Sequence, residues 1–220
     1  MHYYRVCLTA FFASSENDNQ YEQNYVWRKN ILFSVLEKKS GSEAYVVWGT
    51  RAKDTGDHNN PETWSQLVLD NSFVPSNPNV QTYLRDFCDR FFEQDFATKI
   101  DEDFVCPINA FDAWLQEQAV STNPDSIYTE HCNGADGLPM PETDFDACIY
   151  NWGQQVGELS VVARQGKVEV MYIPFTSRVR YDSTFDQLND EWNLLEDWME
   201  FDGKTNVPEG GGKPYFTSGK

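Results

Sequence analysis

Tyr45-Val46-Val47-Trp48-Gly49, then Asp54-Thr55-Gly56-Asp57, Pro61 and Leu67-Val68-Leu69-Asp70-Asn71-Ser72-Phe73, is the stretch on which the architecture turns. Its aromatic and β-branched opening, punctuated by Gly41 and Gly49, predicts a short buried strand over Tyr45–Thr50. A loop of about twenty residues separates that strand from the next apolar-periodic segment, far beyond ordinary connection lengths. Such a loop is functional or is an insertion. Within it, Asp54-Thr55-Gly56-Asp57-His58-Asn59-Asn60-Pro61-Glu62 offers oxygen ligands at close spacing, as calcium requires. The run lacks the alternating Asp-x-Asp-x-Asp-Gly order and terminal Glu of an EF-hand loop, so a turn with Asx hydrogen bonds is the preferred reading.

Downstream lies the clearest helix of the chain. Asn77 is its expected cap, and Pro78 takes the first helical position, where a missing N–H costs nothing. Val80, Tyr83, Leu84, Phe87, Cys88, Phe91 and Phe92 then recur on one face. An acidic loop, Asp101-Glu102-Asp103, leads through Cys106-Pro107 to a shorter helix expected to be capped by Asn109, with Phe111, Trp114, Leu115 and Gln118 at helical spacing. From Val120 to Pro141 the dipeptides Asn123-Pro124, Asn133-Gly134 and Asp136-Gly137 predict irregular chain. Thr143 and Asp146 approximate a capping box for a helix carrying Phe145, Cys148, Ile149 and Trp152.

Val161–Val179 alternates apolar and polar residues around Gln165-Gly166-Lys167, which predicts a hairpin with Val168, Val170, Tyr172 or their neighbours facing a core. Pro174 should confine its strand to an edge or a bend. Ser183-Thr184-Phe185-Asp186 opens the last helix, whose Phe185, Leu188, Trp192 and Leu195 form the inner face, with Asp190, Glu191, Glu196 and Asp197 on the others. Pro208-Glu209 and the glycines 210–212 read as a flexible approach to a short final strand at Lys213–Thr217. No Lys-Ser/Thr follows those glycines, so they are not a phosphate loop. Strand, helices, hairpin, helix and strand in that order match an α+β, ferredoxin-like (split βαβ) sandwich with long loop and helical insertions. No repeat or clean linker divides residues 1–220, so one domain is expected, its first forty residues poorly defined.

Composition narrows the function classes. Against 17 Lys and Arg stand 35 Asp and Glu, a formal charge of −18, so the mean field repels phosphate backbones and anionic lipid. Nucleic acid is excluded as an expected partner. No apolar run approaches the roughly eighteen residues of a membrane span, and Met1–Leu8 lacks the apolar region of a signal peptide. The carboxylates sit where caps and solvated faces would put them, Asp86 and Asp89 on a polar helix face, Asp144 and Asp146 in a first turn. A glycosidase-type carboxylate pair is therefore the weaker reading. Nor is there a Gly-x-Ser-x-Gly nucleophile. No catalytic, cofactor-binding or metal-ligating residue is assigned, and the 15% aromatic content is expected to be core before it is a ligand path.

The five cysteines, Cys7, Cys88, Cys106, Cys132 and Cys148, show neither a Cys-x-x-Cys pair nor zinc spacing with His2, His58 and His131. In a reducing compartment they are buried thiols; in an oxidising one, four pair and one is left over. Four cysteines admit three connectivities, and sequence alone does not choose among them.

The order and spacing of these features resemble a known family. Val47-Trp48-Gly49, the Asp-Gly-rich loop, Leu67-x-Leu69-Asp70-x-x-Phe73, the Pro78 helix with Phe87-Cys88, Cys106 with Phe111-x-x-Trp114 and Gln118, Cys148-Ile149, Trp198 and Pro208-Glu209-Gly210 together cover most of residues 45–217. They are similar to the large extracytoplasmic loop, the second, of the Dispatched family. These are polytopic proteins of the resistance-nodulation-division superfamily that carry a sterol-sensing domain. The first forty residues match only loosely, and Asn151–Gly166 departs from the family pattern.

The resemblance implies an extracytoplasmic, porter-like, non-catalytic part of a larger transporter of sterol, lipid or lipid-modified protein, with membrane helices of the same polypeptide as partners. The alternative is a freestanding acidic secreted enzyme such as a carbohydrate hydrolase. The resemblance also implies that Cys88, Cys106, Cys132 and Cys148 include at least one bridge, Cys88 with Cys148 or Cys106 with Cys132 being the candidate pairs, and that Cys7 is left over. Residues near Tyr4 and Phe216 should share a face, and the strands at Tyr45 and Lys213 should share a sheet.

Overall fold

A computed structural model describes residues 42–53, 66–156, 160–179 and 183–218. The predicted first strand is β1, Ser42–Trp48, in which Val46, Val47 and Trp48 are buried. It ends at Trp48, before Gly49, rather than at Thr50. Gly49 has φ +86°, and a Cβ there would stand 1.9 Å from the Glu169 carbonyl oxygen. The chain leaves the sheet at that point, and Thr50–Lys53 (β2) pairs antiparallel with Gln66–Leu69 (β3). The expected long loop thus closes its own two-stranded ladder. Asp54–Glu62, with the candidate calcium ligands, lies outside the described residues, as do Tyr4 and Cys7.

Helix α1, Pro78–Phe92, begins as expected, with Asn77 Oδ1 accepting from the Asn79 N–H at 2.9 Å. Its buried face is the anticipated one, with Phe92 half-buried and Gln81 added. A short strand β4, Ala97–Thr98, follows. Three helices then form an insert: α2, Pro107–Val120; α3, Ser126–His131; and α4, Glu142–Val156. Two caps differ from expectation. Cys106, not Asn109, caps α2, because Pro107 already supplies the first helical φ; Asn109 lies inside and donates to Asp89. Thr143 is likewise inside α4 and bonds Asp144, so no capping box forms with Asp146. The stretch expected to be irregular also contains α3, whose start Asp125 caps by accepting from the Ile127 N–H at 2.8 Å.

Val161–Arg164 (β5) and Lys167–Ser177 (β6) form the predicted hairpin, closed by Gln165 and Gly166 at φ 54° and 79°, the pair of positive values a two-residue turn needs. Val162 faces Val170 and Ala163 faces Val168, which leaves Glu169 as an extra, bulged residue. The bulge puts Val168 on the same inner face as Met171, Ile173 and Phe175 and turns Val170 to the other face with Val162, leaving Tyr172 half-buried.

The last helix, α5, spans Phe185–Thr205 behind a Thr184–Gln187 capping box, and Tyr215–Ser218 is β7. Strands β7, β1 and β6 lie side by side, with β5 and β4 both on the far flank of β6, and every pairing is antiparallel. The molecule is a mixed helix and antiparallel-sheet (α+β) structure.

Both long helices pack on this sheet. Phe87 of α1 lies 4.8 Å from Trp48 and 5.4 Å from Trp198 of α5, while Trp192 of α5 lies 4.4 Å from Phe216. The strands at Tyr45 and Lys213 share the sheet, as expected. Pro174, expected at an edge, sits instead in the interior strand β6. It is tolerated because β5 pairs only through Met171 and β4 only from Thr176, so no ladder partner stands on that flank at position 174.

The glycine approach is tied to the rest of the fold. Val74 donates to the Gly210 carbonyl at 2.7 Å and Phe73 bridges Gly211, pinning the turn after β3 to the turn before β7. On α5, Phe185 is 39% exposed, whereas Glu191, expected on a polar face, is 2% exposed.

Candidate functional site

The most elaborate constellation among the described residues is the clasp that holds the helical insert against α1. Gln81, buried on α1, uses its whole amide there. Its Nε2 donates to the carbonyls of Ser76 (2.7 Å) and Met140 (3.0 Å), and its Oε1 accepts from the Met140 N–H (2.8 Å). One turn on, Arg85 Nη1 donates to the Leu138 carbonyl at 3.0 Å. From the other side Asp112 of α2 accepts from the Leu138 N–H at 2.6 Å and from Gln116 at 3.1 Å. Leu138–Met140, an irregular segment around the cis peptide Leu138–Pro139, thus has the N–H and C=O groups of Leu138 and Met140 satisfied by three side chains from two helices.

Two disulfides brace the same region. Cys88 of α1 is joined to Cys106, the N-cap of α2, and Cys132, the C-cap of α3, to Cys148 of α4. Neither expected pairing, Cys88–Cys148 or Cys106–Cys132, occurs. The bridges link sequence neighbours because consecutive helices, α1 with α2 and α3 with α4, fold back on each other. Their Cα atoms lie 6.2 and 4.9 Å apart, within disulfide reach.

A second polar group lies between α1 and α5. Asp202, 2% exposed, accepts from Arg90 Nε (3.0 Å), the Tyr83 hydroxyl (3.1 Å) and Asn206 (2.7 Å). Burial first, and the Asp202 carboxylate second, hold the Tyr83 phenol well above the usual tyrosine range, so it remains a donor. Glu191, further up α5, accepts from Ser177 (3.0 Å) and Arg178 (2.7 Å).

Glu191 was expected on a polar face and Asp202 was not singled out, yet the helical spacing carries a signal for both. Glu191 and Asp202 fall on the same stripe as Leu188, Leu195 and Met199, and an acid on an apolar stripe requires a buried partner. Gln81 carries the same signal, three and seven residues before Leu84 and Cys88.

Chemically, these groups are saturated. Asp112, Glu191 and Asp202 are each spent on cations or backbone donors, and no group of three His, Cys, Asp or Glu suited to a metal occurs among the described residues. Asp146 of α4 is pushed above the usual aspartate range by burial, with the Val168 backbone and Lys167 partly offsetting. A cavity bounded by Trp48, Leu84, Ile108, Met171 and Ile173 measures about 10 Å³, room for no more than roughly one water. The aromatics around it are core. No described helix is long and apolar enough to cross a membrane.

Fold and site together define a disulfide-braced α+β domain whose polar residues serve cohesion. The chain is Dispatched-like. It is 22% identical over 226 residues to "Protein dispatched homolog 1" of Mus musculus, covering 94% of this chain and 14% of that protein. To "Protein dispatched homolog 2" of Mus musculus it is 24% identical over 218 residues, 94% of this chain and 16% of that protein. To "Protein dispatched" of Drosophila melanogaster it is 22% identical over 212 residues, 79% of this chain and 17% of that protein. The chain therefore spans about one-seventh of the length of the mouse homolog 1 it matches. No family model matches it.

Proposed function

We propose that this chain is the extracytoplasmic, porter-like domain of a Dispatched-type membrane transporter of sterol, lipid or lipid-modified protein, with no catalytic activity of its own. The observation that carries the reading is the pair of disulfides within a chain similar to Dispatched proteins over 94% of its length. Structural bridges persist where the environment is oxidising, the side to which a loop between membrane helices is exported.

Strands β7, β1, β6 and β5 side by side, with β4 also on the far flank of β6 and with α1 and α5 packed on the sheet, support the ferredoxin-like assignment. The β2–β3 ladder and α2–α4 are then insertions. The insert and the sheet share one apolar cluster, from Trp48 to Phe145 and Phe216, which supports a single domain. Its partners in this reading are membrane helices of the same polypeptide.

The test is topological. Val120 is 84% exposed at the end of α2, and Val120→Asn turns Val120-Ser121-Thr122 into an N-glycosylation acceptor. In the full reading frame expressed in eukaryotic cells, the variant should gain one endoglycosidase-sensitive glycan. A variant that stays unmodified, with cysteines that alkylate without prior reduction, overturns the reading.

A further inference from the structure

Helix α5 has an outward face that the sheet does not use. Leu194 and Phe201 are 40% and 63% exposed and lie seven residues apart, so they form one line about two turns, roughly 10 Å, long. On its inner side this line adjoins the half-buried Trp198, which rests on Phe87, Phe91 and Phe96 and so cannot swing away. On its outer side run Asp190 and Asp197, both exposed, each four residues before an exposed apolar residue. Phe96 leads in four residues to the exposed Ile100, and then to the exposed Asp101, Glu102 and Asp103. The pattern is an apolar line with a rigid base and an acidic border. A helix surface of that kind is complementary to another helix with an apolar stripe and a basic border.

We propose that the Leu194–Phe201 face of α5 is a docking surface for a basic amphipathic helix. The charge decides among possible occupants. A second copy of this chain would bring the same acidic border against itself, at −18 per chain, and an anionic membrane surface would be repelled in the same way. A segment with lysines or arginines flanking leucines satisfies both the apolar line and its border. Apolar area supplies the adhesion, and charge selects the partner.

The probe is a fluorescent amphipathic peptide of lysine and leucine with leucines at helical spacing, titrated by anisotropy with the 220-residue chain. Its control is a peptide of the same composition with the leucine period scrambled. The periodic peptide should bind at least tenfold more tightly than the scrambled one. Leu194→Ser with Phe201→Ser should remove that advantage, as should Asp190→Lys with Asp197→Lys. Glu117→Lys with Glu130→Lys makes the same charge change on exposed positions of α2 and α3 and should alter affinity less than twofold. All four α5 positions are exposed, and the circular dichroism of each variant reports that it remains folded. Equal weakening by the α2–α3 pair overturns the proposal, since binding would then follow net charge alone. So does a concentration-dependent dimer that the Leu194→Ser/Phe201→Ser variant abolishes, which would make the face a self-association surface.

Discussion

Around the sheet, Trp48, Phe87, Phe91, Phe175 and Trp198 meet with ring centroids 4.8 to 5.5 Å apart. In the helical insert, Phe111, Trp114, Phe145 and Trp152 meet more loosely, at 5.3 to 6.4 Å. The elements differ in the same sense. Helix α5 has twenty-one residues behind a complete capping box, whereas α2 starts without a side-chain cap bond and α3 has six residues. A helix as short as α3 is marginal by itself. The insert is accordingly the part with a disulfide at each end and a polar clasp in the middle. The sheet-side helices cohere through burial; the insert adds covalent bonds and captured backbone to its own buried aromatics.

The largest effect is expected at Gly49. Gly49→Ala should cost more than about 4 kcal/mol, since the new Cβ meets the Glu169 carbonyl at 1.9 Å in a backbone region that side chains disfavour. Urea unfolding would show loss of the whole transition; a midpoint near that of the parent chain would contradict the close approach of β1 to the bulge. Phe91→Ala, which empties the centre of the sheet-side stack, should cost about 3–5 kcal/mol with global loss of cooperativity.

Cys132→Ser with Cys148→Ser opens a bridge between residues sixteen apart and should cost about 3 kcal/mol. Here the location matters more than the size. Hydrogen exchange should accelerate in α3 and α4 while β1 and β6 keep their protection, and uniform acceleration would show that the insert and sheet form one cooperative unit.

Gln81→Met should cost about 2 kcal/mol, because the Met140 N–H and the Ser76 and Met140 carbonyls lose their partner in a buried place. The same exchange experiment should localise the effect to residues around Met140.

The smallest effect belongs to Asp146. Burial raises its pKa above 3.8 in the folded state, so the fold prefers the neutral carboxyl. Stability from this group is full below the unfolded pKa and falls as pH rises through the folded one. Asp146→Asn should remove that fall, gaining roughly a few tenths of a kcal/mol at neutral pH after solvent screening. A variant equally stable at acid pH and more stable at pH 7 fits; a loss at pH 7 would show that the ionised carboxylate bonds the Val168 backbone productively.

Much of the sheet-side frame was legible because its signals are local. Asn77-Pro78 and the apolar face that follows state a helix without reference to anything distant, and Gln165-Gly166 between alternating residues states a hairpin. The insert was less legible, since α3 is too short to show a period and Pro107 moved the start of α2 two residues ahead of Asn109. The clasp was the least visible part. Gln81, Arg85 and Asp112 act on Leu138–Met140, and nothing in the local sequence of either partner names the other.

By itself the sequence determined the α+β character, the two long helices, the strands at Tyr45 and Tyr215 and the hairpin between them, because helix and strand periods are written residue by residue. It put Glu191 on a polar face of α5 and did not single out Asp202, although both fall on the stripe of Leu188, Leu195 and Met199. Only the tertiary structure decided that Arg178 and Arg90 would meet Glu191 and Asp202, that Cys88 would take Cys106 and Cys132 would take Cys148, and that Pro174 would sit in an interior strand opposite a gap. Each of those outcomes depends on the distance between segments remote in the chain. Chain closure and packing set that distance, and a one-dimensional pattern does not contain it.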